Sequence, residues 1–259
     1  MTLASTTAAA AMRVQLGEFR REPGSLLTLV NAPFFAVVML SITEHSGRDD
    51  LAVYALLAPV MMTALGMAVF EAGESLFRDR QAGVLEALLT TPGPLWAIVL
   101  GRVVVITAIS LIGIVECWLV GALGFGVVAT VPHPLVFAAA LAATAFGIAA
   151  AGALMASVFV VGRNVRSFQN SLSFPLFLLG GVMVPAAMLP FGLDVASKAF
   201  FLSWATDLLR DSLTPGPVDA VAPRLLAILG LSALTLAFTS LLMRLLVHRI
   251  RGNGTVGFA

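Results

Sequence analysis

Six long apolar runs divide the chain, and most of its charge lies between or outside them. The runs cover residues 25–42, 51–70, 95–125, 135–161, 171–189 and 224–247. Each is near or above the roughly 20 residues that a helix needs to cross hydrocarbon. The pattern predicts an all-α, polytopic membrane protein with six transmembrane helices and both ends on one side. Ahead of the first run, Met12, Leu16 and Phe19 share one helical face, while Arg13, Gln15, Glu18, Arg20 and Arg21 take the others. That spacing predicts a helix lying on the membrane surface and ended by Pro23-Gly24, with a solvated helical tail as the plainer alternative. Met1 to Ala11, rich in Ala, Thr and Ser, reads as a frayed tail, and it lacks the charged start of a signal peptide.

The runs differ in kind. The third, about 31 residues long, would be ~45 Å as one helix against ~30 Å of hydrocarbon, so it must tilt or begin along the surface. Trp96 as an interfacial aromatic and Arg102 as a snorkelling cation fit a surface start. Deeper in the same run stands Glu116, an acidic residue that hydrocarbon disfavours unless it is partnered, protonated or hydrated. It reads either as part of a translocation path or as a protonated group bonded to a neighbouring helix. The fourth run is dominated by small residues, which let helix backbones approach closely, and reads as a packing helix. The fifth carries Pro175, Gly180, Gly181 and Pro185, so a kinked or broken helix is expected there. Phe174, Phe177, Met183 and Met188 around it offer adaptable surface to a greasy substrate, although such residues at helical spacing also serve plain packing. Between the last two runs, Val195 to Leu202 and Trp204 to Leu213 suggest two short helices, stopped by Pro215-Gly216-Pro217.

The stretch Phe70 to Pro94 holds six charges between two apolar runs, a density that keeps it in water or at a membrane surface. Val84, Leu85, Leu88 and Leu89 fall on one helical face with Glu86 opposite, and Thr91-Pro92 ends the run. Gly83 precedes that face, where the lack of a Cβ permits a sharp turn or close approach of a partner. So short an amphipathic helix needs a surface to lie on, either the bilayer or another subunit.

The sequence Asp79-Arg80-Gln81-Ala82-Gly83-Val84-Leu85-Glu86-Ala87-Leu88-Leu89-Thr90-Thr91-Pro92 resembles the cytoplasmic motif of ABC-2 type permeases, the membrane subunits of a class of ABC exporters. Val84 departs from the family's usual Thr and costs a hydroxyl at the helix start. The resemblance implies that residues 71–94 form a coupling segment that docks on a separate ABC ATPase, with Asp79, Arg80, Gly83, Leu85, Glu86, Leu88, Leu89, Thr91 and Pro92 taking part. It further implies no cofactor in this chain, ATP and Mg on the partner, and a second permease copy or paralogue. Short re-entrant helices on the outer side, before the last span, are also implied. Within the family the antibiotic-export branch, of which daunorubicin exporters are typical, is the nearest look. Lipid and polysaccharide exporters share the motif.

Composition sharpens the class. A hydrophobic fraction of 59% with only 11% charged residues is far from the roughly 25% charged of soluble domains. The 259 residues and net charge of +1 leave no length for a second catalytic domain and no basic patch for nucleic acid. Cys117, the single cysteine, has no partner for a disulfide. The only lysine, Lys198, follows Ser197 instead of glycine, so no phosphate-binding loop exists and the chain is expected not to be an enzyme. His45, His133 and His248 are scattered and form no metal motif. A six-span enzyme or assembly factor working without an ATPase remains the alternative class. Arginine asymmetry sets the orientation: with both termini cytoplasmic, Arg13, Arg20, Arg21, Arg78, Arg80, Arg163, Arg166, Arg244, Arg249 and Arg251 lie inside, against Arg48, Lys198, Arg210 and Arg224 outside. That places the protein in the cell membrane, among lipid, as a multi-pass subunit.

Overall fold

In the computed structural model, residues 3–21, 23–48, 51–84, 88, 93–159, 171, 174–183, 188–190 and 192–253 are described. Among them the secondary structure is helical, without strands. The elements are α1 (Leu3–Arg21), a 3-10 segment (Pro23–Val30), α2 (Asn31–His45), α3 (Ala52–Gln81), α4 (Leu95–Ser110), α5 (Ile112–Gly124), α6 (Pro134–Phe159), α7 (Leu193–Lys198), α8 (Phe201–Leu213) and α9 (Val221–Asn253). A further short helix covers 174–179. Five stretches are long and apolar enough to cross a membrane: Leu27–His45, Ala52–Gln81, Leu95–Gly124, Pro134–Phe159 and Val221–Leu246.

The fifth expected span falls partly outside the described residues. What is described of it breaks at Gly180-Gly181, where Gly181 takes φ +64°, so the helix 174–179 does not run on as a crossing rod. The loop 162–166, expected to be a basic turn, lies outside the described residues. The third run, expected as one helix, is interrupted at Leu111 between α4 and α5. There Ser110 turns its hydroxyl onto the Thr107 carbonyl at 2.8 Å, and Gly113 follows, a pairing of Ser and Gly that commonly marks a change in a helix axis.

α3 is the central post. It packs against α2, α4, α5 and α6, and Met61, Ala64, Met67 and Ala68 are fully enclosed. In lipid the hydrophobic effect does not drive helices together, so close backbone approach and dispersion must. α6 supplies that approach: a Cβ on Gly152 would stand 2.7 Å from the Ala68 carbonyl oxygen, and one on Gly147 would meet the Phe201 ring at 2.3 Å. On α5, Gly113 and Gly121 play the same part against Ala32 of α2 and Leu56 of α3. The small-residue reading of the fourth run therefore holds.

Outward faces are apolar as well. Phe34, Val38 and Ile42 of α2, Val115 and Leu119 of α5, and Leu234, Phe238 and Leu241 of α9 are exposed. Water would punish so much contiguous greasy surface, whereas hydrocarbon is its matching solvent.

The N-terminal segment differs from expectation. α1 begins at Leu3, so the Ala-rich start is helix and not a frayed tail. Its buried side is Ala11, Gln15 and Phe19, one residue round from the expected Met12, Leu16, Phe19 face, and Leu16 is exposed. The reason is a partner: α1 lies on α4. Gly101 leaves room for the Ala8 carbonyl, 2.5 Å from where a Cβ would be, and Gly93 does the same for Thr7. A small-residue helix fits closer there than a leucine-rich one would.

Candidate functional site

The charged residues before the expected coupling helix continue α3. Glu71, Glu74, Arg78, Asp79 and Arg80 all lie on that helix, which ends at Gln81, so the first half of the expected coupling segment is the end of a long helix. Like charges would weaken such a helix, but Glu74 with Arg78 sits at i,i+4 and supports it. Gly83 then stops it: φ is +70°, and its N–H donates to the Arg80 carbonyl at 3.1 Å. This is the left-handed position just past a helix end that favours glycine. Space around Gly83 is open, so the turn, not crowding within this chain, is what requires glycine.

Asp79, expected at the ATPase, points inward. Its carboxylate stands 2.7 Å from Arg102 Nη1, too oblique for a hydrogen bond but a close ion pair, and both side chains are largely buried. Glu18 of α1 approaches the same guanidinium at 3.9 Å. Arg102 is therefore no snorkelling cation; it joins the end of α3, the first turns of α4, and α1. Burial explains the arrangement, since an unpaired guanidinium at this depth would cost several kcal/mol. Glu71 and Arg78 form a looser pair at 3.8 Å beside it. Next to this joint a cavity of about 530 Å³ opens between α1, Val84, Leu88 and Ile98. Val84 is exposed and Leu88 half-buried at its edge. Leu85, Glu86, Leu89, Thr91 and Pro92 lie outside the described residues.

The translocation-path candidates differ in exposure. Glu116 sits on α5 between the packing face of Gly113, Cys117 and Gly121 and the exposed face of Ile112, Val115 and Leu119. Its Oε2 is enclosed without a hydrogen-bond partner among the described residues. Phe177 is buried near Gly66 of α3 and serves as core packing, while Phe174 and Met183 are exposed. Because the Glu116 carboxyl has no internal partner to lose, Glu116→Gln is expected to leave yield and assembly unchanged. A role in transport then shows as altered export or an altered pH profile. Normal export by Glu116→Gln with misassembly of Glu116→Leu would make it structural.

A third centre was missed by sequence reasoning. Leu202, Thr206 and Arg210 of α8, at i, i+4 and i+8, lie along one face against the broken turn. Leu202 packs where a Gly180 Cβ would go, the Thr206 hydroxyl donates to the Gly180 carbonyl at 3.0 Å, and Arg210 Nη2 donates to the Val182 carbonyl at 2.9 Å. The Arg210 guanidinium also lies 4.8 Å over the Tyr54 ring and 3.6 Å from Asp207. Burial pushes the Asp207 carboxyl up from its ordinary pKa, against the pull of Arg210, and burial pushes the Arg210 guanidinium down. α7 and α8 meet at Ala199-Phe200, and the Trp204 indole N–H donates to the Lys198 carbonyl at 2.8 Å. Arg224 and Asp211 pair across to α9. The one sequence signal for this centre was a lone basic residue at helical spacing from small and apolar ones.

No metal-binding cluster of His, Cys, Asp or Glu occurs among the described residues. No curated protein matches the sequence. The sequence family described as ABC-2 type transporter matches residues 8–214, a range that includes most of α1, the joint at Arg102, the stretch after Gly83 and the short helices α7 and α8. With most of its length inside that match, and with apolar helices built to cross a bilayer, the chain belongs to the ABC-2 type transporter family.

Proposed function

We propose that this chain is the permease subunit of an ATP-driven exporter that moves a hydrophobic or amphipathic, drug-like substrate outward across the cytoplasmic membrane. Membership of the family makes it a multi-pass transport subunit of a kind that works with ABC ATPase subunits. Both termini are cytoplasmic in this reading. Two permease chains pair, and ATP with Mg binds on the partner ATPases.

The observation that carries the coupling role is the joint at Arg102. When the partner ATPase moves the segment after Gly83, α3 takes up the displacement as a rod. Arg102 passes it to α4 and α1, because Asp79, at the last turn of α3, is ion-paired to it at 2.7 Å. Glu86 offers its carboxylate to basic or N–H groups of the ATPase, and Leu85, Leu88 and Leu89 seat the segment on the membrane domain. Losing one member of a desolvated charge pair between subunits costs about 2–5 kcal/mol, so Glu86→Ala is expected to weaken ATPase co-purification by about 30-fold or more. A bulky side chain at Gly83 should act alike, through its left-handed turn. Arg102→Ala strands the buried Asp79 carboxylate, and is expected to separate substrate-stimulated hydrolysis from export while the ATPase stays bound. Exchanging the pair, Arg102→Asp with Asp79→Arg, should restore part of the coupling. Unchanged co-purification and hydrolysis in the Glu86 and Gly83 variants would end the coupling assignment. Orientation has its own check: a cysteine at Thr214 is labelled from outside intact cells and one at Arg166 is not.

A further inference from the structure

α4, α6 and α9 leave between them a groove of about 350 Å³, lined by Val99, Phe146, Ala153, Ala233, Ala237 and Met243, among others. Its hydroxyls are spent on their own helix: Thr239 donates to the Thr235 carbonyl and Ser240 to the Ala237 carbonyl, each at 2.8 Å. The walls are thus apolar in effect. On α9, Ala233, Ala237, Ser240 and Arg244 recur at i, i+4, i+7 and i+11, so the groove runs along one face and ends at a guanidinium. From Ala233 to Arg244 is ~16 Å of helix, about half of the ~30 Å hydrocarbon thickness, which is the depth of one leaflet.

Two donors in the groove's lining have no partner among the described residues. Neither the Arg244 guanidinium nor the Trp96 indole N–H makes a hydrogen bond or ion pair with a described residue, and both line the groove. The described lining contains no carboxylate. A zwitterionic head group would bring an ammonium with no acceptor and leave the Arg244 charge uncompensated. A single negative charge would answer it, and phosphate oxygens match the guanidinium fork.

We propose that this groove binds a phospholipid with a net negative head group, one acyl chain lying along Ala233, Ala237 and Met243 and its phosphate accepting from Arg244 and Trp96. The site is separate from Glu116 and from the Arg102 joint, and it stands whether or not the export reading does. The lipid would hold α9, which is the least enclosed of the spanning helices, against α4 and α6.

The test uses the full chain, exchanged into vesicles of equal phosphatidylglycerol and phosphatidylcholine, extracted in mild detergent and weighed by native mass spectrometry. Wild type is expected to retain phosphatidylglycerol over phosphatidylcholine in a ratio of about five to one. Arg244→Gln should return that ratio to near unity, with Arg244→Lys between the two. Ala237→Phe, which fills the groove, should remove the retained lipid of both kinds while the protein still elutes as one species. Equal retention of the two lipids by wild type, or an unchanged preference in Arg244→Gln, overturns the proposal. If Ala237→Phe instead breaks a dimer and leaves lipid retention untouched, the groove belongs to a second copy of the chain and the lipid site is refuted.

Discussion

Gly152→Val is expected to remove most of the folded protein from the membrane, even though it changes one uncharged residue. A Cβ at this position would stand 2.7 Å from the Ala68 carbonyl oxygen and 2.8 Å from Val103 Cγ1. The closest obstacle is backbone in the middle of α3, and both Ala68 and Val103 are fully enclosed, so neither neighbour has anywhere to turn. α6 must move away from α3 and α4 together. Overpacking of this kind costs about 1–3 kcal/mol for the first added carbons and more where backbone is the obstacle, and the loss is compounded because contacts given up between helices in lipid are not replaced by a hydrophobic gain. Gly230 provides the control. Nothing lies within 4 Å of its added Cβ, so Gly230→Ala on α9 should stabilise by about 0.5–1 kcal/mol through helix propensity alone. Yield of monodisperse protein and its melting temperature separate the cases. If Gly152→Val melts with wild type, the close crossing of α6 and α3 is wrong.

The features readable in the sequence were those a helix states by itself. Long apolar runs marked the five stretches long enough to cross a membrane, the small residues of the fourth run marked a close crossing, and Gly180-Gly181 marked the break in the fifth. Gly83 also read correctly as a turn, because a left-handed residue leaves its signature in one amino acid. What failed depended on partners distant in sequence. Nothing in the periodicity around Arg102 says that Asp79 and Glu18 will meet it, so the rule for an isolated cation in an apolar run gave snorkelling, and the structure gave a three-way joint. α1 failed for the same reason. Its first half is weakly amphipathic and looked frayed, although alanine is the best helix former. Its small side chains match Gly93 and Gly101, a complementarity visible only once the two segments are known to touch. The charge between residues 71 and 81 set that stretch outside the second run, and nothing in it said that the helix of that run would continue through Gln81. Glu116 stood out in the sequence as a carboxyl within an apolar run, and its Oε2 has no hydrogen-bond partner among the described residues.

Arg210→Ala is expected to release the broken turn at Gly180-Gly181 from α8 and α3. Three contacts go at once: the hydrogen bond to the Val182 carbonyl at 2.9 Å, the stacking over Tyr54 at 4.8 Å, and the ion pair with Asp207 at 3.6 Å. They are not equal. The Asp207 side chain is 43% exposed, so its pair with Arg210 is worth little and its carboxylate is not stranded. A hydrogen bond from a charged donor contributes about 1.5–3 kcal/mol, and a largely desolvated cation over an aromatic ring about 2 kcal/mol. The expected loss is therefore about 3–5 kcal/mol, carried by Val182 and Tyr54. Two substitutions sort the contributions. Tyr54→Leu keeps the hydrogen bond and should lose about 2 kcal/mol, whereas Asp207→Asn should lose well under 1 kcal/mol. Arg210→Lys retains a charge but not the planar fork that reaches the carbonyl while lying flat on the ring, and should recover less than half of the loss. A cysteine at Val182, enclosed in the wild type, reports the local effect, since its labelling should accelerate with Arg210→Ala in step with the fall in melting temperature. Slow labelling of that cysteine in the Arg210→Ala background would show that the turn is held by Leu202 and Thr206 alone, and that the guanidinium does not act as its clamp.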